Sequence, residues 1–336
     1  MFIGRLKFSI RRIVWLASSA VVLASAFGCA VSQKTVVKPS QAPAALQTAT
    51  KADLIDSYNR QAQAIQSLNA GVTMKLIAGS AYSGAIEQYH DVNGFILASR
   101  PANIRVIGQA PVVGKNIFDM VSDGSTFSIY IPSKNKFIVG PADLERRGGK
   151  PIENLRPQHL VDALFWPAIT DHVPVLFEEA SEGAAHFYVL TVVRPETPQP
   201  ASSASAAGSA DTGQQGSPQL SASNWEIAQK IWFDRADLRV ARIENYGSGG
   251  KVVSDVTYAD WQPAGSTTYP RQIAVARPSE DYQLQIAIKK ITVNEPIGAD
   301  RFSLPQPSGS DLVRVGPIGE DDTHNDSNQT PKEPQH

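Results

Sequence analysis

The sequence predicts an α+β protein, mostly antiparallel β: a strongly curved, open half-barrel sheet covered by two or so helices. Three observations lead there. Between residues 72 and 293 the chain repeats short segments of alternating apolar and polar residues separated by turn residues, the period of half-buried strands. Only two stretches carry a helical period. Residues 117–140, IFDMVSDGSTFSIYIPSKNKFIVG, read as three strands joined by two tight turns. In that meander Phe118 and Met120 share a face, as do Phe127, Ile129 and Ile131, so one side is continuously apolar and needs cover. Asp123-Gly124 predicts a type I′ turn, which needs positive φ at both central residues; Ser133-Lys134-Asn135-Lys136 predicts a second, polar turn. A closed β-sandwich is the competing architecture, and it would leave the two helices without a seat.

Residues 1–28 predict a lipoprotein signal peptide. Arg5, Lys7, Arg11 and Arg12 form a basic start, 13–27 is an apolar run, and the small Gly28 stands just before Cys29, with Ala26 where leucine is commonest and Phe27 bulky for its place. In such leaders the cysteine thiol takes a diacylglyceryl group, the peptide is cut before it, and the new amine is acylated, commonly with palmitate. Cys29 is therefore the candidate lipidation site. Two other readings compete. A spanning helix needs ~20 apolar residues, and this run is shorter and interrupted by Ser18, Ser19 and Ser25. An ordinary secretory leader would leave Cys29 as an idle thiol. Cys29 is the only cysteine, so disulfides and cysteine-rich metal sites are excluded. The net charge of −1, from 31 Lys+Arg against 32 Asp+Glu, gives no pull toward nucleic acid.

After the leader, residues 29–50 are rich in Ala, Gln, Pro, Ser and Thr and read as a flexible tether. Ala30 follows the cysteine, the pattern of a protein released to the outer membrane. A single domain is expected over 51–305. It opens with a helix over 51–69, where Thr50 and Asp53 make a capping pair, Leu54, Ile55, Tyr58, Ala62, Ile65 and Leu68 mark one face, and Gly71 lies past the end. Strands are predicted at 72–78, 84–90, 94–99 and 103–108, leading into the meander. Pro157 suits the first position of a second short helix, striped by Leu160, Val161, Leu164 and Phe165 and stopped by Pro167. Strands return at 173–179 and 186–194. Residues 195–223 are a low-complexity insert, expected to be disordered and to split a hairpin. Further strands are predicted at 225–234, 239–246, 251–261, 269–276 and 282–293, with 300–304 closing the fold. The tail over 306–336 is polar and proline-rich and is expected to be disordered.

The pattern FD…SDG…F.IY.P…K..V.G in the meander, followed by IWFDRADLRVARIENYG, VTYADW, a Tyr-Pro before a strand and a closing FSLPQP, resembles the outer-membrane lipoprotein-sorting (LolA/LolB-like) family over most of 52–305. The resemblance implies an open half-barrel whose apolar cavity holds acyl chains of lipoproteins or other lipids. It implies a lipid-anchored protein at the outer membrane, facing the periplasm, that works without cofactor or bond chemistry, with a periplasmic carrier protein as a further partner. Carrying acyl chains through water requires an apolar refuge, because each buried methylene is worth about 0.8 kcal/mol. Ile104, Val106, Phe118, Met120, Phe127, Ile129 and Ile131 are the candidate lining, and Leu164 and Phe165 the candidate lid. The family's membrane-bound receiver approaches the bilayer with an apolar loop residue; Val112 and Val113 in the loop 109–114 occupy that place, though as valines where leucine is usual. An ordinary α+β core shows the same apolar face, and a scaffold lipoprotein with a filled core and no lipid cargo is the alternative function.

No catalytic motif is present. There is no G-x-S-x-G elbow and no H-E-x-x-H, and residues 108–115 miss the spacing and the following helix of a phosphate loop. His90, His159, His172 and His186 are scattered rather than paired at ligand spacing. Arg146, Arg147 and Lys150 form a small basic cluster in a glycine-rich loop, which a solvated surface explains.

Overall fold

The structure is a computed structural model that describes residues 45–79, 86–88, 90–111, 113–142, 156–196 and 224–316. The chain divides into two compact units, Met1–Ala45 and Leu46–His336, and of the first only Ala45 is described. The predicted leader, the tether up to 44 with Cys29, the 197–223 part of the insert and the tail beyond 316 lie outside the described residues.

In the second unit, helix α1 (Lys51–Ala64) is followed by β1 (Ser67–Ala78), β2 (Glu87–Gln88), β3 (Val92–Ser99), β4 (Asn103–Gln109), β5 (Asn116–Ser122), β6 (Thr126–Ile131) and β7 (Lys136–Pro141). Helix α2 (Pro157–Leu164) interrupts the strands. They resume as β8 (Val175–Glu182), β9 (Ala185–Pro195), β10 (Trp225–Asp234), β11 (Val240–Tyr246), β12 (Val252–Ala264), β13 (Thr267–Arg277), β14 (Tyr282–Val293) and β15 (Asp311–Arg314). All belong to one sheet, ordered β15-β7-β6-β5-β4-β3-β1-β14-β13-β12-β11-β10-β9-β8, with β2 paired to β1. Among the described residues its two ends do not pair with each other, so the sheet is open. Every pairing is antiparallel except that of β15 with β7. Among the described residues this is the mainly antiparallel open sheet with two helices that the alternation predicts.

Cross-strand register builds the apolar face. Val106 stands opposite Ile96 and Met120, Met120 opposite Ile129, and Ile129 opposite Ile138. In the other half, Leu284 faces Leu76 and Val275, and the row continues through Val256, Ile243, Ile231 and Leu190. Directly opposed residues share a face, so these rows form one surface. It curves. Trp166 is bonded both by Arg100, just past β3, and by Tyr258 of β12. In a flat sheet those strands, four steps apart in the order above, would lie ~19 Å from each other.

Several elements depart from the sequence reading. α1 starts as predicted, with a complete capping box between Thr50 and Asp53, but ends at Ala64 rather than 69. Leu68, Ala70 and Val72 alternate into the core, and pairing with both β3 and β14 takes over from Ser67 and Leu68. Gly71 is therefore inside β1, at a register shift opposite Lys290. At 123–125, Gly124 has φ +91° but Asp123 does not take positive φ; its carboxylate accepts from the backbone of Ser125 and Thr126 at 2.8 Å each. The turn is thus closed by a side chain rather than as type I′. Of the predicted strand 84–90 the structure shows β2, with 84, 85 and 89 outside the described residues; a 3-10 turn at Ala299–Phe302 overlaps 300–304, and β15 lies in the tail expected to be disordered. β9 and β10 meet at Pro195–Trp225, so residues 197–223 connect neighbouring strands of one sheet.

β15 presses close to β7. A Cβ on Gly140 would stand 2.4 Å from Val315 Cγ2 and 2.8 Å from its carbonyl oxygen. Gly140→Ala is expected to push this segment off β7 and to cost about 1–3 kcal/mol, the range of overpacking. Urea unfolding with amide exchange at residues 311–315 checks it: exchange there should quicken while β10 and β14 stay protected.

Candidate functional site

The predicted lining residues share one face but not one environment. Ile104 (0% exposed), Val106 and Met120 are buried in a single core with Leu164 and Phe165, beneath α1 and α2. Phe127 is buried as well, near the β7 edge against Gly140. Phe118, Ile129 and Ile131 are only half-buried, and so are Leu76 and Val92 on the same face. The structure therefore separates a packed zone under the helices from a partly open zone toward the β4–β5 connection. Gly94 and Gly108, opposite each other in register, make room at that boundary: the Phe118 ring lies where a Cβ of Gly108 would sit, and Met74 Cε lies 3.3 Å from the Cβ position of Gly94.

Sequence reasoning named Tyr58 and Phe165 but missed the residues that hold the cover in place. The last carbonyls of a helix have no intrahelical partner. Arg100 supplies donors to both helical segments: Nη2 donates to Ala62 O at 2.8 Å and to Trp166 O at 2.9 Å, and Nε to Ile65 O at 3.1 Å. Its guanidinium also lies 5.1 Å from the Phe165 ring centroid. On the far side, Tyr258 Oη donates to Ala163 O and Tyr269 Oη to Leu164 O, both at 3.0 Å. Asn294 Nδ2 donates to Ala64 O at 2.7 Å. Trp166 packs amid Tyr58, Tyr258 and Trp261, stacked on the first at 5.6 Å and edge-on to the others, while its Nε1 donates to Tyr258 Oη at 2.8 Å. Asn59 completes the seat, donating to Ile169 O and accepting from Ile169 N. Burial pushes the Tyr58, Tyr258 and Tyr269 hydroxyls well above the ordinary phenol range, and Tyr58 Oη is buried without a hydrogen-bond partner among the described residues. Beside this cluster, lined by Gln61, Ala62, Ile65, Arg100, Leu164 and Tyr269 among others, is a void of about 10 Å³, room for one water at most.

A polar group occupies the first turn of α2. His159 Nδ1 lies 2.6 Å from Tyr282 Oη and 3.8 Å from Glu280, and Arg277 pairs with Glu280. Burial, then Arg277 and Arg156, pull His159 down to about 3. His186 bonds Ser181 Oγ at 2.8 Å. Among the described residues no group of three His, Cys, Asp or Glu is arranged to hold a metal, and no helix is long and apolar enough to cross a membrane.

The proposed membrane-approach loop is partly described. Val113 is 74% exposed, on a turn where Gly114 (φ +63°) donates to Ala110 O, and Ile117 beside it is 37% exposed. Val112 lies outside the described residues, as do Arg146, Arg147, Lys150 and Cys29.

No protein-family model matches the chain, and no curated protein matches its sequence. Solved structures similar to it include a LolA superfamily protein from Nitrosomonas europaea, at 12% identity over 76% of this chain and 99% of that one, TM-score 0.42. A DUF1329 family protein from Desulfovibrio piger is similar at 12% identity over 75% and 95%, TM-score 0.45. An outer membrane lipoprotein-sorting protein domain from Vibrio parahaemolyticus, described as putative in its own name, is similar at 10% identity over 74% and 94%, TM-score 0.42.

Two outcomes test the seat of the helices. Arg100→Ala strips donors from three carbonyls and should cost about 1.5–3 kcal/mol in urea unfolding, with Arg100→Lys recovering only part because an ammonium lacks the planar fork. His159 stays neutral in the folded state where the unfolded chain protonates it. Its contribution is therefore full above pH 6.5 and is lost as pH falls from there toward 3. Going from pH 7 to pH 5 should remove about 2 kcal/mol through this group; His159→Gln should flatten that part of the stability profile.

Proposed function

We propose that this chain is a lipid-anchored envelope protein that holds acyl chains on the apolar face of its curved sheet and helps deliver lipoproteins or lipids to the outer membrane. The observation that carries the reading is the division of that face. Its centre is roofed by two helices that the sheet grips at their carboxyl ends, while Phe118, Ile129, Ile131, Leu76 and Val92 continue the apolar surface half-exposed. An acyl chain laid along the exposed part removes methylenes from water at about 0.8 kcal/mol each, and it can extend inward only if the helices shift. Release of the Arg100, Tyr258 and Tyr269 bonds is what such a shift requires. The predicted lipidated Cys29 and the exposed Val113 and Ile117 support work at a membrane surface. The chemistry is binding and transfer, with no cofactor and no covalent step.

A second reading has its own support. Ile104, Val106, Met120, Leu164 and Phe165 are packed against one another, as in a scaffold lipoprotein with a filled core. One experiment separates the two. The Cys29→Ser chain, expected in the soluble rather than the membrane fraction, is purified and extracted for mass spectrometry, then offered a fluorescent fatty acid. The carrier reading expects co-purifying or exchangeable lipid, and expects Phe118→Asp to weaken it without unfolding the protein. Absence of bound and exchangeable lipid leaves the scaffold; persistence in the membrane fraction removes the lipid anchor from the reading.

A further inference from the structure

The two ends of the sheet are finished differently. At one, β15 lies parallel along β7. At the other, β8 pairs with β9 and, among the described residues, with no strand on its outer side. A free edge offers a row of backbone donors and acceptors, and native sheets blunt such edges by keeping them short, charging them or placing proline there. β8 has eight residues, VLFEEASE, without proline, and its early part exposes Leu176 (61%) and Phe177 (39%). These two residues point to opposite faces, so a strand added here would cover one on each side.

Acidic residues follow. Glu178 reaches Lys230 at 3.8 Å, Glu179 pairs with Arg235 at 2.7 Å, and Glu182 reaches Arg242 at 3.7 Å, yet all three glutamate side chains remain more than half exposed. Arg242 is shared with Glu244 and Asp255. These five carboxylates meet three cations, with Glu244 on β11 and Asp255 on β12; on the edge itself Lys51 Nζ donates to Val175 O at 3.3 Å, and beyond it the three half-exposed glutamates make the edge acidic.

We propose that the free edge of β8 docks an extended segment of a partner protein, which joins the sheet as a further strand and sets two adjacent apolar residues opposite Leu176 and Phe177 and two adjacent lysines or arginines opposite Glu178 and Glu179. Main-chain bonds supply affinity in this mode, and the alternating side chains supply selectivity. Antiparallel docking requires the order basic-basic-apolar-apolar. A second copy of this chain fits poorly, because the two-fold registers with the greatest overlap set Glu178 or Glu179 against itself. The proposal is independent of whether the apolar face carries lipid.

The test uses the full chain in detergent and a fluorescein-labelled peptide, Ser-Thr-Lys-Lys-Val-Ile-Thr-Ser, with Ser-Thr-Glu-Glu-Val-Ile-Thr-Ser as control. Anisotropy should show binding of the lysine peptide alone, weakened about tenfold by the double substitution Glu178→Lys, Glu179→Lys. Bound peptide should slow amide exchange at Phe177, Glu179 and Ser181, whose N–H groups face away from β9. Equal binding of both peptides, no binding, or protection confined to other strands overturns the proposal. So does protection of the Phe177, Glu179 and Ser181 amides without peptide, which in a dimer means that a second copy occupies the edge and in a monomer that the chain's own residues do.

Discussion

The structure depends on how the carboxyl ends of its two helices are satisfied. Helix termini leave carbonyls that must find donors, and burying them without partners costs free energy comparable to a lost hydrogen bond each. Here the donors come from the sheet: Arg100 at one side, Tyr258 and Tyr269 at the other, Asn294 at the end of α1. That arrangement binds the helices to strands distant in the sheet order. It also sets Trp166 at the centre, where four aromatic rings close over the apolar rows.

From this constraint the division of the apolar face follows. Side chains under the gripped ends of the helices, Ile104 and Val106 among them, lose all contact with water. Those nearer the β4–β5 connection, Phe118 and Ile129, stay partly exposed. The polar group around His159, Tyr282, Arg277 and Glu280 sits one rung beyond Leu76, Leu284 and Val275, since Tyr282 pairs with Ala78 and Arg277. The face thus runs from a sealed core through a half-open surface to a charged rim.

Legibility in the sequence tracked the range of the interaction involved. The strands over 225–234 and 282–293 match β10 and β14 to the residue, because alternation and flanking turn residues are local signals. The meander was legible for the same reason. The end of α1 was not: Ile65 and Leu68 fit a helical stripe, while Leu68, Ala70 and Val72 equally fit a strand, and only pairing with β3 and β14 decides between them. β15 has four residues and a polar setting, and its partner β7 comes far earlier in the chain. Of the candidate lining, the shared face was read correctly from the period of two. Which members would be sealed and which half-open depends on where the helices come to rest.

The sequence by itself determined the class of the protein: an apolar-faced antiparallel sheet, two covering helices, and a leader-like start with a lone cysteine, all written in patterns a few residues long. Tertiary structure alone decided where the helices rest, through an arginine, two tyrosines and an asparagine whose partners are carbonyls of other segments. Backbone carbonyls carry no residue identity, so side chains that bond to them leave no pairing signal in the sequence. Their roles exist only once the chain has closed on itself.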